Sequence, residues 1–389
     1  MKLWQKKNNL NKKVEQFTVG NDYLLDQKLV KHDCIASIAH AKMLKKIGII
    51  SNVQCDKIIQ ELNLIIKLDK KGKFIIKKDH EDCHTAIECF LVKKLSETGK
   101  MIHTGRSRND QVLTALRLYY KEEINSTIKL IDILSKVLKS LKNKYGYVET
   151  PGYTHMRKAM PSSIGLWADA FIESMKDNKK LLLDVYSIID QSPLGTGAGY
   201  GLPIEIDREI TKELLGFKKT QSNPIYVQNS RGKFESSILH ALNQIMLDLN
   251  KISSDLILFS MSEFGFFELP SEICTGSSIM PHKKNPDILE LIRAKYHTLL
   301  GYEIQVKTII SNLISGYNRD LQLTKKPVMN GFEITEECLE AMILVLNCLK
   351  VNTDNCNTGL TDELYSTEKV YNLVKKSVPF REAYRKISE

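Results

Sequence analysis

From Ser107 to Tyr145 the chain runs without a glycine or a proline, and its apolar residues fall at Leu113, Leu116, Tyr120, Ile124, Ile128, Ile131, Leu134, Leu138 and Leu141, in steps of three or four. One continuous helix is predicted, on the order of 55 Å long at about 1.5 Å per residue. Lys233 to Phe264 repeats the pattern through Phe234, Ile238, Leu242, Ile245, Leu249, Ile252, Leu256 and Phe259. Pro286 to about Ser315 and Ser163 to Asp190 read the same way. Helices of this length do not fit a compact single-layer domain. They predict an all-α fold whose apolar stripes pack on each other in an elongated bundle, within the chain or between subunits. Strand signals are few and short. The 389 residues suffice for two or three domains. The expected division is a smaller N-terminal domain (1–106), a central long-helix bundle (107–348) and a short C-terminal helical domain (349–389).

Composition narrows the class. Apolar residues make up 42% and charged residues 26%, which excludes a mainly disordered or collagen-like chain. No apolar run approaches the roughly 18 residues that cross a bilayer, so no membrane segment is expected. Met1 to Lys7 has no apolar stretch behind its charges and does not read as a secretory signal. None of the eight cysteines forms a Cys-x-x-Cys pair, which argues against a zinc knuckle and suits reduced thiols in the cytoplasm. The net charge is +10, but the lysines are scattered in pairs such as Lys283-Lys284 and Lys325-Lys326. With no basic arm and no recognition module, nucleic acid is not an expected partner; an anionic small molecule is.

Polar, glycine-rich connections separate the helices and hold the chemistry-bearing residues. Thr275 to Asp287 contains a glycine, two hydroxyls (Ser277, Ser278), a proline, then Lys283 and Lys284. Asn285-Pro286 is expected to cap a new helix, whose N-terminus would attract an anion. A serine beside such a positive site can serve as a base, because its alkoxide is stabilised there. His103 to Gln111 opens the longest helix with Arg106 and Arg108 among hydroxyl and amide side chains, and guanidinium forks match carboxylates. Gly152-Tyr153-Thr154-His155 offers an imidazole suited to proton transfer near neutrality. Taken singly, each of these stretches also reads as an ordinary capped helix or polar loop.

Their wording is more specific. Residues 276–285, Gly-Ser-Ser-Ile-Met-Pro-His-Lys-Lys-Asn, resemble the signature of the aspartase/fumarase lyase superfamily at every fixed position. Thr104-Gly105-Arg106-Ser107-Arg108-Asn109-Asp110-Gln111 is similar to the motif that sets the argininosuccinate lyase branch apart, and Tyr317 to Gln322 resembles another segment of that branch. Lys2-Leu3-Trp4, Ser37 to Ala41, Asp82 to Glu88, Ser192 to Gly195, Phe264 to Phe266 and Pro379 to Tyr384 also match, so the resemblance covers essentially the whole chain. Met156 to Pro161 departs from the family's usual text after the Thr-His pair. Family members usually continue some tens of residues further, so the C-terminal domain reads as curtailed.

The resemblance implies elimination of fumarate from argininosuccinate, leaving arginine, by general acid/base catalysis with no cofactor and no metal. It implies Ser277 as proton abstractor and His155 as partner acid, although the residues alone leave open which makes each transfer. Lys283, Asn285 and the helix N-terminus after Asn285 would stabilise the dianionic intermediate, and Glu290 would orient His155 from another subunit. Ser107, Arg108, Asn109, Thr154, Tyr317, Gln322 and Lys325 would bind substrate, with Asn285. A homotetramer that shares its sites between subunits is also implied. Another fumarate-releasing lyase, such as one acting on adenylosuccinate, and a catalytically silent structural relative are the competing readings.

Three further patterns carry other chemistry on paper. His80-Glu81-Asp82-Cys83-His84 spells a zinc-protease pattern, but Asp79, Asp82 and the nearby lysines make a solvated turn entering a helix the expected form. The alternating glycines 195–201 suggest a phosphate cradle without its strand and helix. Cys274 lies near Ser277 with no base beside it and reads as a small buried thiol.

Overall fold

The computed structural model describes residues 11–388, so the Lys2-Leu3-Trp4 match lies outside the described residues. The chain is all-α in class, with four short two-stranded ladders. The long helices are Arg108–Tyr145, Ile164–Ile189, Lys233–Phe259, Asp287–Ile310 and Lys325–Cys348. Eight of the nine apolar positions named on the first helix are buried; Ile128 is only half-buried, and Thr127 beside it is fully covered. Two helices stop earlier than periodicity alone predicts. Lys233–Phe259 gives way to a turn closed by Gly265 N–H on Met261 C=O at 2.7 Å. Asp287–Ile310 ends just before Asn312, which takes the left-handed conformation (φ 65°) that asparagine tolerates better than most residues.

The chain forms two compact units, residues 1–126, 182–240 and 301–332 in one and 127–181, 241–300 and 333–389 in the other. The first unit contains the antiparallel pair Val30–Lys46 and Asn52–Lys70, the second opened by a Ser51/Gln54 capping box. Its core includes Ala39, Leu194, Leu215 and Phe217 packed with Ile35 and Leu118. In the second unit an aromatic cluster of Tyr153, Phe259, Phe264 and Phe266 packs with ring centroids 5.6–6.0 Å apart. Tyr153 belongs to the hairpin Glu149–Thr154/Arg157–Ser163, which was not legible as strand because Pro151, Gly152 and Pro161 interrupt the alternation.

Candidate active site

The signature segment folds as a small hairpin. Thr275–Gly276 pairs with Lys284–Asn285, and the residues between them form an exposed loop. Ser277 heads that loop, and its Oγ accepts from the backbone N–H of Met280 at 3.1 Å and of Ile279 at 3.4 Å. Two donors aimed at one hydroxyl oxygen favour its ionised form. The expected Asn285 cap is not formed. Asn285 stays in the strand and its Nδ2 reaches back to Gly276 C=O at 3.4 Å, while the Pro286 carbonyl accepts from Leu289 and Glu290 N–H at 2.9 and 3.2 Å. Strand pairing takes Asn285, so the helix starts one residue later, at Asp287. Lys283, Asn285 and Glu290 line one open cleft of about 700 Å³ that also takes in Lys284, Glu263 and Glu268. Lys283 and Glu290 are exposed. Cys274 is only partly buried, short of the small buried thiol expected here, and burial raises its thiol pKa.

Thr154 and His155 sit at the tip of the larger hairpin, exposed. His155 and Met156 are its two turn residues, both with positive φ (51° and 58°). Such a turn matches the twist of the flanking strands, and for two side-chain-bearing residues it costs roughly 1–2 kcal/mol each. The departure of this segment from the usual family wording leaves Thr154 and His155 at a defined position on the hairpin.

A second site forms in the first unit. Arg108, Asn109, Tyr317, Gln322 and Lys325, all expected substrate binders, line one cavity of about 120 Å³ with Asp22, Asp26, Glu81, Asp82, His84 and Arg231. Ser107 lies at its edge in sequence; its N–H donates to Asp110 and its Oγ accepts from Asn109 N–H. Lys325 is buried, with Nζ 2.6 Å from both Asp22 and Asp26. Burial alone would lower its pKa, but the two carboxylates hold it up at about 12. Arg108 reaches Glu81 and Asp82 at 3.3 Å and Thr85 Oγ1 at 2.7 Å. His84 Nδ1 lies 3.0 Å from Asp33, itself held by Gln111 Nε2. Burial opposes the imidazolium of His84, yet the Asp33 carboxylate outweighs it and the pKa rises.

This network corrects one expectation and explains another. Glu81 and His84 are buried, not solvated. His80 belongs to the turn Lys78–His80 while His84 is inside the helix Cys83–Leu95, so the two do not share a helix face as a zinc pair would. Asp26, Cys83 and His84 do bring ligand atoms within 4.8 Å of one another. Asp26, however, is committed to Lys325 and to Cys83 N–H, and His84 to Asp33. The glycine run cradles a carboxylate of the chain itself. Asp110 Oδ2 accepts from Gly195 and Gly197 N–H, both at 2.9 Å. Those glycines have φ of 88° and 63°, and a Cβ on Gly195 would meet the Ile206 side chain at 2.5 Å. Sequence reasoning missed Asp22, Asp26, Glu81, His84 and Arg231 as lining residues. The i, i+4 spacing of Asp22 and Asp26 on one helical turn was the available signal.

A long-helix fold with a hydroxyl-bearing hairpin loop, an imidazole on a hairpin tip and a cavity of paired charges is that of a fumarate-type lyase, and the sequence matches the Lyase family over residues 5–301. A relative described as argininosuccinate lyase, from Thermotoga neapolitana, is 52% identical over 388 residues, spanning 100% of this chain and 98% of its own. Another so described, from Phocaeicola vulgatus, is 41% identical over 386 residues, 99% of this chain and 86% of its own. The chain thus belongs to the argininosuccinate lyase family, as its motifs implied. Solved structures agree on the fold: EDDS lyase in complex with formate has a TM-score of 0.79 at 22% identity, covering 96% of this chain and 74% of that one. Class II fumarase from Schistosoma mansoni has a TM-score of 0.80 at 17% identity, covering 96% and 91%.

Proposed function

We propose that this chain cleaves argininosuccinate to arginine and fumarate, the last step of arginine biosynthesis, with the residues expected from its motifs. The observation that carries the reading is the cavity in which Arg108, Asn109, Tyr317, Gln322 and Lys325 meet although they come from segments some two hundred residues apart. Their guanidinium, ammonium, amide and phenol groups suit a substrate with three carboxylates.

In the proposed mechanism Ser277, as an alkoxide favoured by the Ile279 and Met280 N–H groups, takes the proton from the succinyl carbon next to a carboxylate. The electron pair moves into that carboxylate and gives a dianion. Lys283, Asn285 and the start of the Asp287–Ile310 helix meet the added charge, which is where differential binding of the transition state is most effective. The pair then forms the carbon–carbon double bond as the carbon–nitrogen bond breaks, and His155 protonates the departing guanidino nitrogen. Glu290 would orient His155. Ser107, Arg108, Asn109, Thr154, Tyr317, Gln322 and Lys325 would hold the substrate.

A homotetramer sharing its sites between subunits is part of the proposal. Leu166, Leu291, Ile304 and Leu344 stand exposed on long helices, as residues awaiting a second copy of the chain do. A cytoplasmic setting fits eight unpaired cysteines; no described helix is long and apolar enough to cross a membrane. The test is ultraviolet absorbance of fumarate released from argininosuccinate by purified protein. Turnover of adenylosuccinate with none of argininosuccinate would overturn the assignment.

A further inference from the structure

The cavity in the first unit holds four cationic side chains, and three have acceptors. Lys325 is bound to Asp22 and Asp26, Arg108 to Glu81, Asp82 and Thr85, and Arg319 Nη2 donates to Thr18 C=O at 3.0 Å. The fourth, Arg231, is 3% exposed, and its guanidinium makes no hydrogen bond or ion pair among the described residues. Its Nε is fully covered and unsatisfied. The Asp22 carboxylate is near enough to feel its charge but does not pair with it.

The contrast with Arg117 is instructive. That guanidinium is equally buried but has acceptors, donating to Gln191 C=O and Ser230 Oγ. Around Arg231 the backbone is pinned on both sides. Asn229 Oδ1 accepts from Gly316 N–H, Ser230 Oγ donates to Val227 C=O, and Gly232 N–H donates to Glu235. The residue is rigidly placed and its guanidinium left without a hydrogen-bonded acceptor among the described residues. A buried guanidinium without a hydrogen-bonded acceptor is costly unless something supplies one.

We propose that Arg231 is a substrate-binding residue, gripping one carboxylate of the substrate inside this cavity. The inference rests on the functional reading above and extends it to a residue none of the motifs assigned. The cavity, at about 120 Å³, is smaller than the ~300–1,000 Å³ clefts that enclose a whole ligand, so it takes one end of the substrate. That end is either the succinyl portion or the amino-acid portion of the arginine moiety. Both present a carboxylate, which a planar guanidinium binds in bidentate fashion.

The test uses the full-length protein with Arg231→Gln and Arg231→Lys. For Arg231→Gln the expected result is a KM for argininosuccinate raised about tenfold or more, with kcat changed far less. Inhibition by one product, either fumarate or arginine, weakens in parallel while inhibition by the other stays put, which identifies the end held. The lysine variant recovers part of the loss. The thermal midpoint stays level or rises, because the glutamine removes a buried charge that has no hydrogen-bonded acceptor; a merely structural arginine would lower it. A KM and both inhibition constants unchanged within about twofold would overturn the proposal, as would a midpoint that falls in both variants alike. Wild-type protein that released no fumarate would instead sink the functional reading. Arg231 is then judged by whether fumarate or arginine raises the midpoint of the wild type and not of Arg231→Gln.

Discussion

Replacing Lys325 by methionine keeps the length of the side chain and deletes the ammonium that pairs with both Asp22 and Asp26. The side chains of Lys325 and Asp26 are 3% and 0% exposed, so water cannot take over from the ammonium. In the wild type the amine is held at about 12 against an ordinary 10.5. A raised amine pKa contributes stability that is complete below pH ~10.5 and lost as the pH rises through ~12, worth about 2 kcal/mol at ~1.36 kcal/mol per unit. Deletion costs more than that, about 3–5 kcal/mol, because two carboxylates are left buried against each other. With about 2.1 cal/mol/K of unfolding entropy per residue, a chain of 389 residues should lose about 4–6 °C of thermal midpoint at pH 7. The pH dependence then gives a second check. Without the cation, burial pushes the Asp22 and Asp26 carboxyl groups up, so the folded variant binds a proton more readily than the unfolded chain and gains stability as the pH falls from 7 to 5. Midpoints at matched protein concentration, at pH 7 and pH 5, measure both. Exchanging all three residues together, as Asp22→Asn, Asp26→Asn and Lys325→Met, keeps an acceptor for Cys83 N–H and should restore most of the midpoint. A Lys325→Met midpoint within about 1 °C of wild type at pH 7, or the same acid response in both proteins, would refute a stabilising buried triad.

Ser277→Ala should fold and assemble normally yet lose a factor of about 10² to 10⁴ in turnover; keeping more than a tenth of the rate would remove Ser277 from the chemistry. His155→Asn and Ser277→Ala proteins, each inactive, should regain activity when unfolded together and refolded, since sites shared between subunits leave some free of both lesions; hybrids that stay inactive would mean sites built within one chain. Gly276→Ala tests whether the signature loop closes over substrate. A Cβ at Gly276 meets nothing within 4 Å, so the thermal midpoint should not move. Turnover should fall if closure needs glycine's dihedral freedom, and unchanged turnover would argue for a preformed site.

The long helices were legible because each carries an unbroken apolar stripe, and a stripe is a local property. Arg108–Tyr145 begins one residue from its predicted start. The hairpin bearing His155 was not, because its prolines and its paired left-handed residues hide the alternation that marks a strand. The motifs expected to carry the site were found as text, and their positions in the structure are varied: Ser277 on a loop, His155 on a turn, Lys325 inside a core. What the sequence could not show was which charges meet. Glu81 and His84 sit among lysines and aspartates in the chain, which reads as solvated. Their burial comes from Arg108, from Asp33 and from a lysine some 240 residues away. Asn285 looked like a cap because Asn-Pro is a capping pair; hairpin pairing with Thr275 competes for the same residue and wins.

The triad of Asp22, Asp26 and Lys325 also has a consequence for how the chain is made. The two aspartates leave the ribosome early, and their cation follows 299 residues after Asp26. At about 5–20 residues per second that is a wait of roughly 15–60 s. During the wait Asp26 lacks the ammonium that pairs with it, and burying it without one would cost several kcal/mol. The helical pairs of the first hundred residues can form while they wait, but the seat of Asp26 stays open to water. The segment around Asp26 thus emerges long before it can be sealed, and a nascent chain halted before Lys325 exposes to chaperones and proteases a half-built unit that the finished protein keeps closed.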